Sequence, residues 1–211
     1  MEKGACLSPK YEAYMGTKDT RDARQNQAMK PPVPPPPALP PFAELCVVDT
    51  NVILVANGQH PAVSEACVQT CRDWLEQIMA CGRIVLDDGF EILHEYRHKT
   101  NPQAGQGAGD AFVRWVLHHV NDASRCELVH LEADPVWGFR HFPHDERLWD
   151  FDPADRKFVA VACRHPQHPP ILQAADSKWV DWAPCLADVG VAVHFLCDRE
   201  VHQFHLHKFG R

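Results

Sequence analysis

Four acids in this chain, Asp49, Glu95, Asp155 and Asp176, stand where folding could gather them. Asp49 closes Leu45-Cys46-Val47-Val48, a short β-branched run of the kind found in strands buried on both faces. Asp176 closes Pro170–Ala175 in the same way. An open α/β sheet carries its chemistry beyond the carboxyl ends of its strands. Glu95 shares a helix face with Glu91, four residues earlier. Asp155 opens the helix that leads into the Asp176 strand. Each acid also has a plain role open to it: Asp49 as a turn cap, Glu91 and Asp155 as capping-box partners, Asp152, Asp87 and Asp88 as caps or turn residues. Carboxylates gathered in one cleft repel and raise one another's pKa, so such a cluster is tolerated mainly around divalent cations. Hard oxygen donors select Mg²⁺ or Mn²⁺. Two such ions can activate a water and stabilise the leaving oxygen of a phosphodiester.

The elements that would position these acids follow from periodicity and punctuation. A helix is predicted over 62–80, with Val63, Cys67, Cys71, Trp74, Leu75 and Ile78 on one stripe and Gly82 as its stop. Arg83–Leu86 reads as a second strand. Asp88-Gly89-Phe90-Glu91 has capping-box spacing and opens a helix to about Lys99. Asn101–Gly109 is a glycine-rich loop without the lysine of a phosphate-binding loop. Asp110 caps a helix to about His119, and Glu127–Leu131 is a third strand. Residues 132–151 are irregular and aromatic: a loop over the core or, alternatively, a surface that stacks unpaired bases. Asp152-Pro153-Ala154-Asp155 is a helix start with an acid at N-cap, Pro at N1 and an acid at N3. Pro184 ends a short turn and starts a helix that Gly190 stops, and Val191–Leu196 is a fifth strand. Strands alternating with helices imply an α/β fold with a mostly parallel central sheet flanked by helices.

The 211 residues suit one domain plus tails. Residues 1–43 read as a disordered, proline-rich N-terminal tail, with a polyproline spacer at Pro31–Pro41. Residues 44–198 form the domain, and 199–211 a histidine-rich C-terminal tail. A formal charge of −7 argues against a broad electrostatic grip on nucleic acid, though not against an acidic centre neutralised by cations. The nine cysteines form no Cys-x-x-Cys pair, and Cys67 and Cys71 are expected as buried small apolar residues. No signal peptide or bilayer-spanning stretch is evident, and with the thiols this points to a reducing cytosol. His141 with His144, and His202, His205 and His207, could bind a transition metal, but no His-Glu-x-x-His motif supports it. Gly-x-Ser-x-Gly is absent.

Taken in order, the acidic motifs resemble those of PIN-domain ribonucleases: Val47–Leu54 the first, Ile92-Leu93-His94-Glu95-Tyr96 the second, Asp152-x-x-Asp155 through Ala162 the third, and Ala175–Trp179 the fourth. The resemblance spans 44–198. It implies a Mg²⁺- or Mn²⁺-dependent endoribonuclease acting on single-stranded RNA, with Asp49, Glu95, Asp155 and Asp176 as metal ligands and Thr50 and Asn51 orienting the first acid and its water. Many relatives are toxins, so an antitoxin protein and a homodimer are implied as partners. Arg156 and Lys178 could contact a substrate phosphate. Two departures stand out. The proline-rich tail lies outside the family pattern, and Ser177-Lys178 replaces an acid that Asp181 could supply. The alternative is a catalytically silent PIN-like scaffold that binds a protein or RNA partner.

Overall fold

The computed structural model describes residues 42–210. The proline run and nearly all of the proposed tail lie outside the described residues. Phe42 already belongs to the core, its ring 5.5 Å from that of Trp74, so the fold reaches slightly ahead of residue 44.

Leu45–Val48 is strand β1, and all but Leu45 are buried. The chain turns at Asp49 straight into helix α1 (Thr50–Ala56), which the sequence pattern left as an unassigned apolar run. Seven residues are too short to show a helical stripe when Val52, Ile53, Val55 and Ala56 are all buried. Ser64 caps α2 (Glu65–Cys81), accepting from Cys67 N at 3.2 Å. Strand β2 (Arg83–Asp87) leads to α3 (Glu91–Lys99). The capping acid of α3 is Asp87 rather than Asp88: its two oxygens accept from Glu91 N (2.7 Å) and Ile92 N (3.0 Å). Helix α4 (Ala108–His119) starts earlier than expected. Asp110 sits inside its first turn and reaches back to accept from Gly107 N and Asn101 N.

After β3 (Cys126–Val129), the aromatic stretch folds over the core. It includes a two-stranded antiparallel hairpin, β4 (Ala133–Asp134) with β5 (Gly138–Phe139), and buries Phe142, Leu148 and Phe151. Helix α5 (Arg156–Arg164) begins one turn later than the Asp-Pro pair suggests. Strand β6 (Ile171–Gln173) precedes α6 (Trp179–Asp188), which runs through Pro184 instead of breaking there. Pro184 lacks one backbone donor, and burial of Trp179, Cys185 and Leu186 keeps the helix continuous around it. β7 (Val193–Phe195) ends the sheet. The histidine-rich end is a helix, α7 (Asp198–Phe209), not an irregular tail. Its two ion-paired histidines meet carboxylates: His205 lies 2.7 Å from Asp181 and His202 3.3 Å from Asp198.

The central sheet is fully parallel, in the order β3-β2-β1-β6-β7. The chain moves outward from β1 through β2 to β3, then returns to the other side of β1 with β6 and β7. The switch in direction therefore falls between β1 and β6. At such a point the loops after neighbouring strands diverge and leave a crevice. Among the described residues no helix is long and apolar enough to cross a membrane.

Cys67 requires a correction. It is joined to Cys197, 130 residues away, by a disulfide and is not a free buried thiol. Cys46, Cys71, Cys126, Cys163 and Cys185 remain thiols. Burial pushes Cys46 and Cys71 up to about 12, so both stay protonated near neutral pH.

Candidate functional site

Asp49 leaves β1 in extended conformation, and its Oδ1 accepts from Asn51 N at 2.7 Å, the N-cap bond of α1. The plain capping role is thus real, but Asp49 is also only 4% exposed and sits at the β1–β6 crevice. Its carboxyl is held well above the usual carboxylate range. Burial is the main cause; Asp155, Glu95 and Asp176 add like charge, while the Asn51 bond opposes them. Asp155 behaves similarly. Burial first, then Asp152, Asp176 and Glu95, raise it to about 6 against a partial offset from Lys157. Glu95, Asp155 and Asp176 therefore all lie near enough to Asp49 to act on its carboxyl.

The local folding explains how. Asp176 follows β6, and its Oδ1 accepts from Lys178 N at 3.1 Å. Asn51 Oδ1 accepts from Ala175 N at 2.8 Å, pinning the end of β6 to the start of α1. Asp155 precedes α5 without capping it, since its side chain makes no cap hydrogen bond. The turn is instead held by Asp152, whose Oδ1 accepts from Ala154 N at 3.0 Å. Glu95 projects from the middle of α3. The next residue, Tyr96, is fully buried and donates its hydroxyl to the Val48 carbonyl, fixing α3 against the end of β1.

The sequence reading overlooked Lys157. Its ammonium lies 2.5 Å from Glu95 Oε2, donates to the Ala154 carbonyl and is nearly buried. Placed two residues after Asp155 it resembles an ordinary surface lysine, and nothing in its spacing singles it out. Lys178 pairs with Asp152 at 3.0 Å; that contact, with Asp176 and Asp155 nearby, raises its pKa. Asp152 is correspondingly lowered, chiefly by Lys178.

Arg156 does not face the cleft as a phosphate contact. It is 8% exposed, and its guanidinium donates to the carbonyls of Phe151, Val136 and Trp149, over the rings of Phe142 and Trp137. It holds the aromatic loop in place. Asp181 does not join the acids either, since it pairs with His205. Thr50 is buried beside Asp49, and its Oγ1 has no hydrogen-bonding partner among the described residues.

In type, though not in spacing, these oxygen donors are those a hard divalent cation takes, and Asp49, Glu95, Asp155 and Asp176 are the residues that could hold one. Lys157 pairs with Glu95, and Asp49 and Asp155 are raised first by burial and then by the neighbouring carboxylates. The acids are spread more widely than a closed ligand shell. Among the described residues, the one group of three or more ligand atoms within 4.8 Å of one another is Cys67, Cys71 and Cys197, two of them already joined. No family model, no curated protein and no solved structure matches the chain.

Proposed function

We propose that the chain is a PIN-like endoribonuclease, dependent on Mg²⁺ or Mn²⁺, that hydrolyses single-stranded RNA in the cytosol. What supports this reading is the placement of Asp49 and Asp176 after β1 and β6, on either side of the sheet's switch point, with Glu95 and Asp155 near enough to act on Asp49. These four side chains would hold the ion. Bound there, it would supply a water of lowered pKa and charge for the leaving oxygen.

The remaining chemistry belongs to the chain. Asn51 N–H fixes Asp49 Oδ1, and the Asn51 amide oxygen fixes the strand end carrying Asp176. Thr50 Oγ1, buried and unpartnered, is free to hydrogen-bond the attacking water. With a pKa near 6, Asp155 is largely ionised at pH 7, and its carboxylate can accept that water's proton. The Lys178 ammonium, among Asp152, Asp155 and Asp176, is placed to meet a phosphate oxygen. Products would carry 5′-phosphate and 3′-hydroxyl ends.

The test is cleavage of unstructured RNA with Mn²⁺, with and without chelator, by the full chain and by Asp49→Asn and Asp176→Asn. Chelator-sensitive cleavage lost in both variants is expected; no cleavage by the parent, or equal cleavage by all three, overturns the reading. A toxin role adds that expression alone arrests growth and that a partner antitoxin protein relieves it, and a homodimer would sediment at twice the chain mass. The Lys157–Glu95 pair favours one rival, a silent scaffold whose lysine takes the cation's place and which binds a protein or RNA partner. Calorimetric titration with Mn²⁺ separates the two, since the scaffold takes up no ion.

A further inference from the structure

Three sulfurs meet at the junction of β7 and α7. Cys67 and Cys71 are four apart on α2 and share one face, and Cys197 directly precedes α7. Their Sγ atoms all lie within 4.8 Å of one another, and all three residues are buried. Cys67 and Cys197 are joined, and Cys71 stands beside their bond as a thiol. The apolar stripe of α2 accounts for the burial of Cys71. It does not account for a sulfur within reach of both members of the pair. A disulfide uses two sulfurs, and the third adds nothing to it.

The junction is held by more than that bond. Ser64, the cap of α2, donates its N–H and its hydroxyl to the Glu200 carboxylate in the first turn of α7, at 2.9 and 2.5 Å. Phe204, one turn further, stacks on His60 with ring centres 6.2 Å apart. These contacts bring Cys197 to the Cys67–Cys71 face through groups that a reductant leaves untouched. A reducing compartment keeps cysteines as thiols. There the same geometry would gather three thiols in one place.

We infer that in the reduced chain Cys67, Cys71 and Cys197 together bind one zinc ion. Thiolates are soft donors, and they select Zn²⁺ over the hard Mg²⁺ and Mn²⁺ that suit the acids. Bonds from zinc to sulfur are about 2.3 Å, so a tetrahedral site sets its sulfurs about 3.8 Å apart. That separation falls inside the 4.8 Å that bounds the three sulfurs. Each thiol gives its proton to solvent as its bond to zinc forms, and a water takes the fourth position. The ion then does in the reduced chain what the disulfide does in the oxidised one: it ties the start of α7 to α2. The site shares no residue with the acids and does not depend on the function proposed above.

The test uses the full chain, opened with a phosphine, which is oxidised to its oxide while water supplies the oxygen and the two thiol protons. Cobalt(II) is the probe, because sulfur bound to cobalt gives an intense near-ultraviolet charge-transfer band and a carboxylate does not. The band should appear in the reduced parent, be displaced by zinc and persist in Asp49→Asn. The oxidised Cys71→Ala chain keeps the Cys67–Cys197 bond and reports its own folding by circular dichroism. Once reduced, it should take up cobalt at least about 100-fold more weakly, a larger loss than removal of a partner outside the ligand shell brings. Cys163→Ala should change nothing. Zinc should also slow amide exchange across 198–209 in the reduced parent, a readout that needs no variant. A reduced parent without the sulfur band, exchange that zinc leaves unchanged, or undiminished uptake by folded Cys71→Ala each overturns the inference and leaves the nuclease reading standing.

Discussion

Lys157 Nζ and Glu95 Oε2 meet at 2.5 Å, so the acid cleft carries a cation of its own on α5. In Lys157→Met, Glu95 and Asp155 lose that compensation. The ion-free protein should lose about 1–3 kcal/mol of stability, a partly buried pair having lost one member. Calorimetry should show Mn²⁺ binding several-fold more tightly, because the ion no longer competes with an ammonium. Weaker Mn²⁺ binding by the variant would mean that Lys157 helps rather than opposes the ion.

Asp155 sets a dependence on pH. Its carboxyl moves from an ordinary 3.8 to about 6 on folding, so the folded chain binds protons more readily than the unfolded one. The stabilisation this brings is complete below about 3.8 and is lost as pH rises through about 6. In chelator, Asp155→Asn should flatten the fall in Tm between pH 4.5 and 7, a window chosen around that shift, and gain about 1–2 kcal/mol at pH 7 after allowance for solvent screening. A variant less stable than the parent at pH 7 would show that the carboxylate is not under repulsion.

Asn51 ties two chain segments through Ala175 N, 124 positions away. Asn51→Ala leaves that donor without its partner and should cost about 1–2 kcal/mol in urea unfolding. Cleavage should fall at least tenfold as well, because Asp176 loses its fixed position relative to Asp49. Lost stability with unchanged cleavage would separate the two roles.

Much of this arrangement is legible in the chain itself. The strands after which Asp49 and Asp176 sit are apolar runs, and the sheet burial that makes them so also makes them recognisable. Glu95 and Asp155 could be placed on helices, and their convergence follows from a parallel sheet. Helix α1 escaped because it is short and buried all round. Lys157 and Arg156 escaped for a different reason. Lys157 meets Glu95 across two helices whose mutual packing no local pattern records, and Arg156 meets the Val136 and Trp149 carbonyls, which come from an irregular stretch without periodic signal. The Cys67–Cys197 bond joins residues whose spacing says nothing about pairing, and α7 hides behind a polar, histidine-rich composition.

Helix α7 buries only Val201; the His205–Asp181 pair and Phe204 hold its later turns, and a covalent bond holds its start. There Cys197 is bonded to Cys67, and Glu200 accepts from Ser64 N (2.9 Å) and Ser64 Oγ (2.5 Å). Reduction, or Cys197→Ser, should lower stability by about 2–5 kcal/mol, given the long loop the bond closes. Amide exchange across 198–209 should accelerate while the central strands stay protected. Unchanged protection of α7 after reduction would show that the Ser64–Glu200 bonds suffice. Cytosolic thiols would be expected to keep this bond open.

The return of the chain to β1 has a consequence for biosynthesis. A ribosome releases Asp49 and Glu95 long before Asp155, and Asp176 emerges only after β6. Until then the middle strand has one bare edge, and half of the negative pocket does not exist. On the proposed function, a chain ending before residue 176 lacks one of its four carboxylates and should leave RNA uncut.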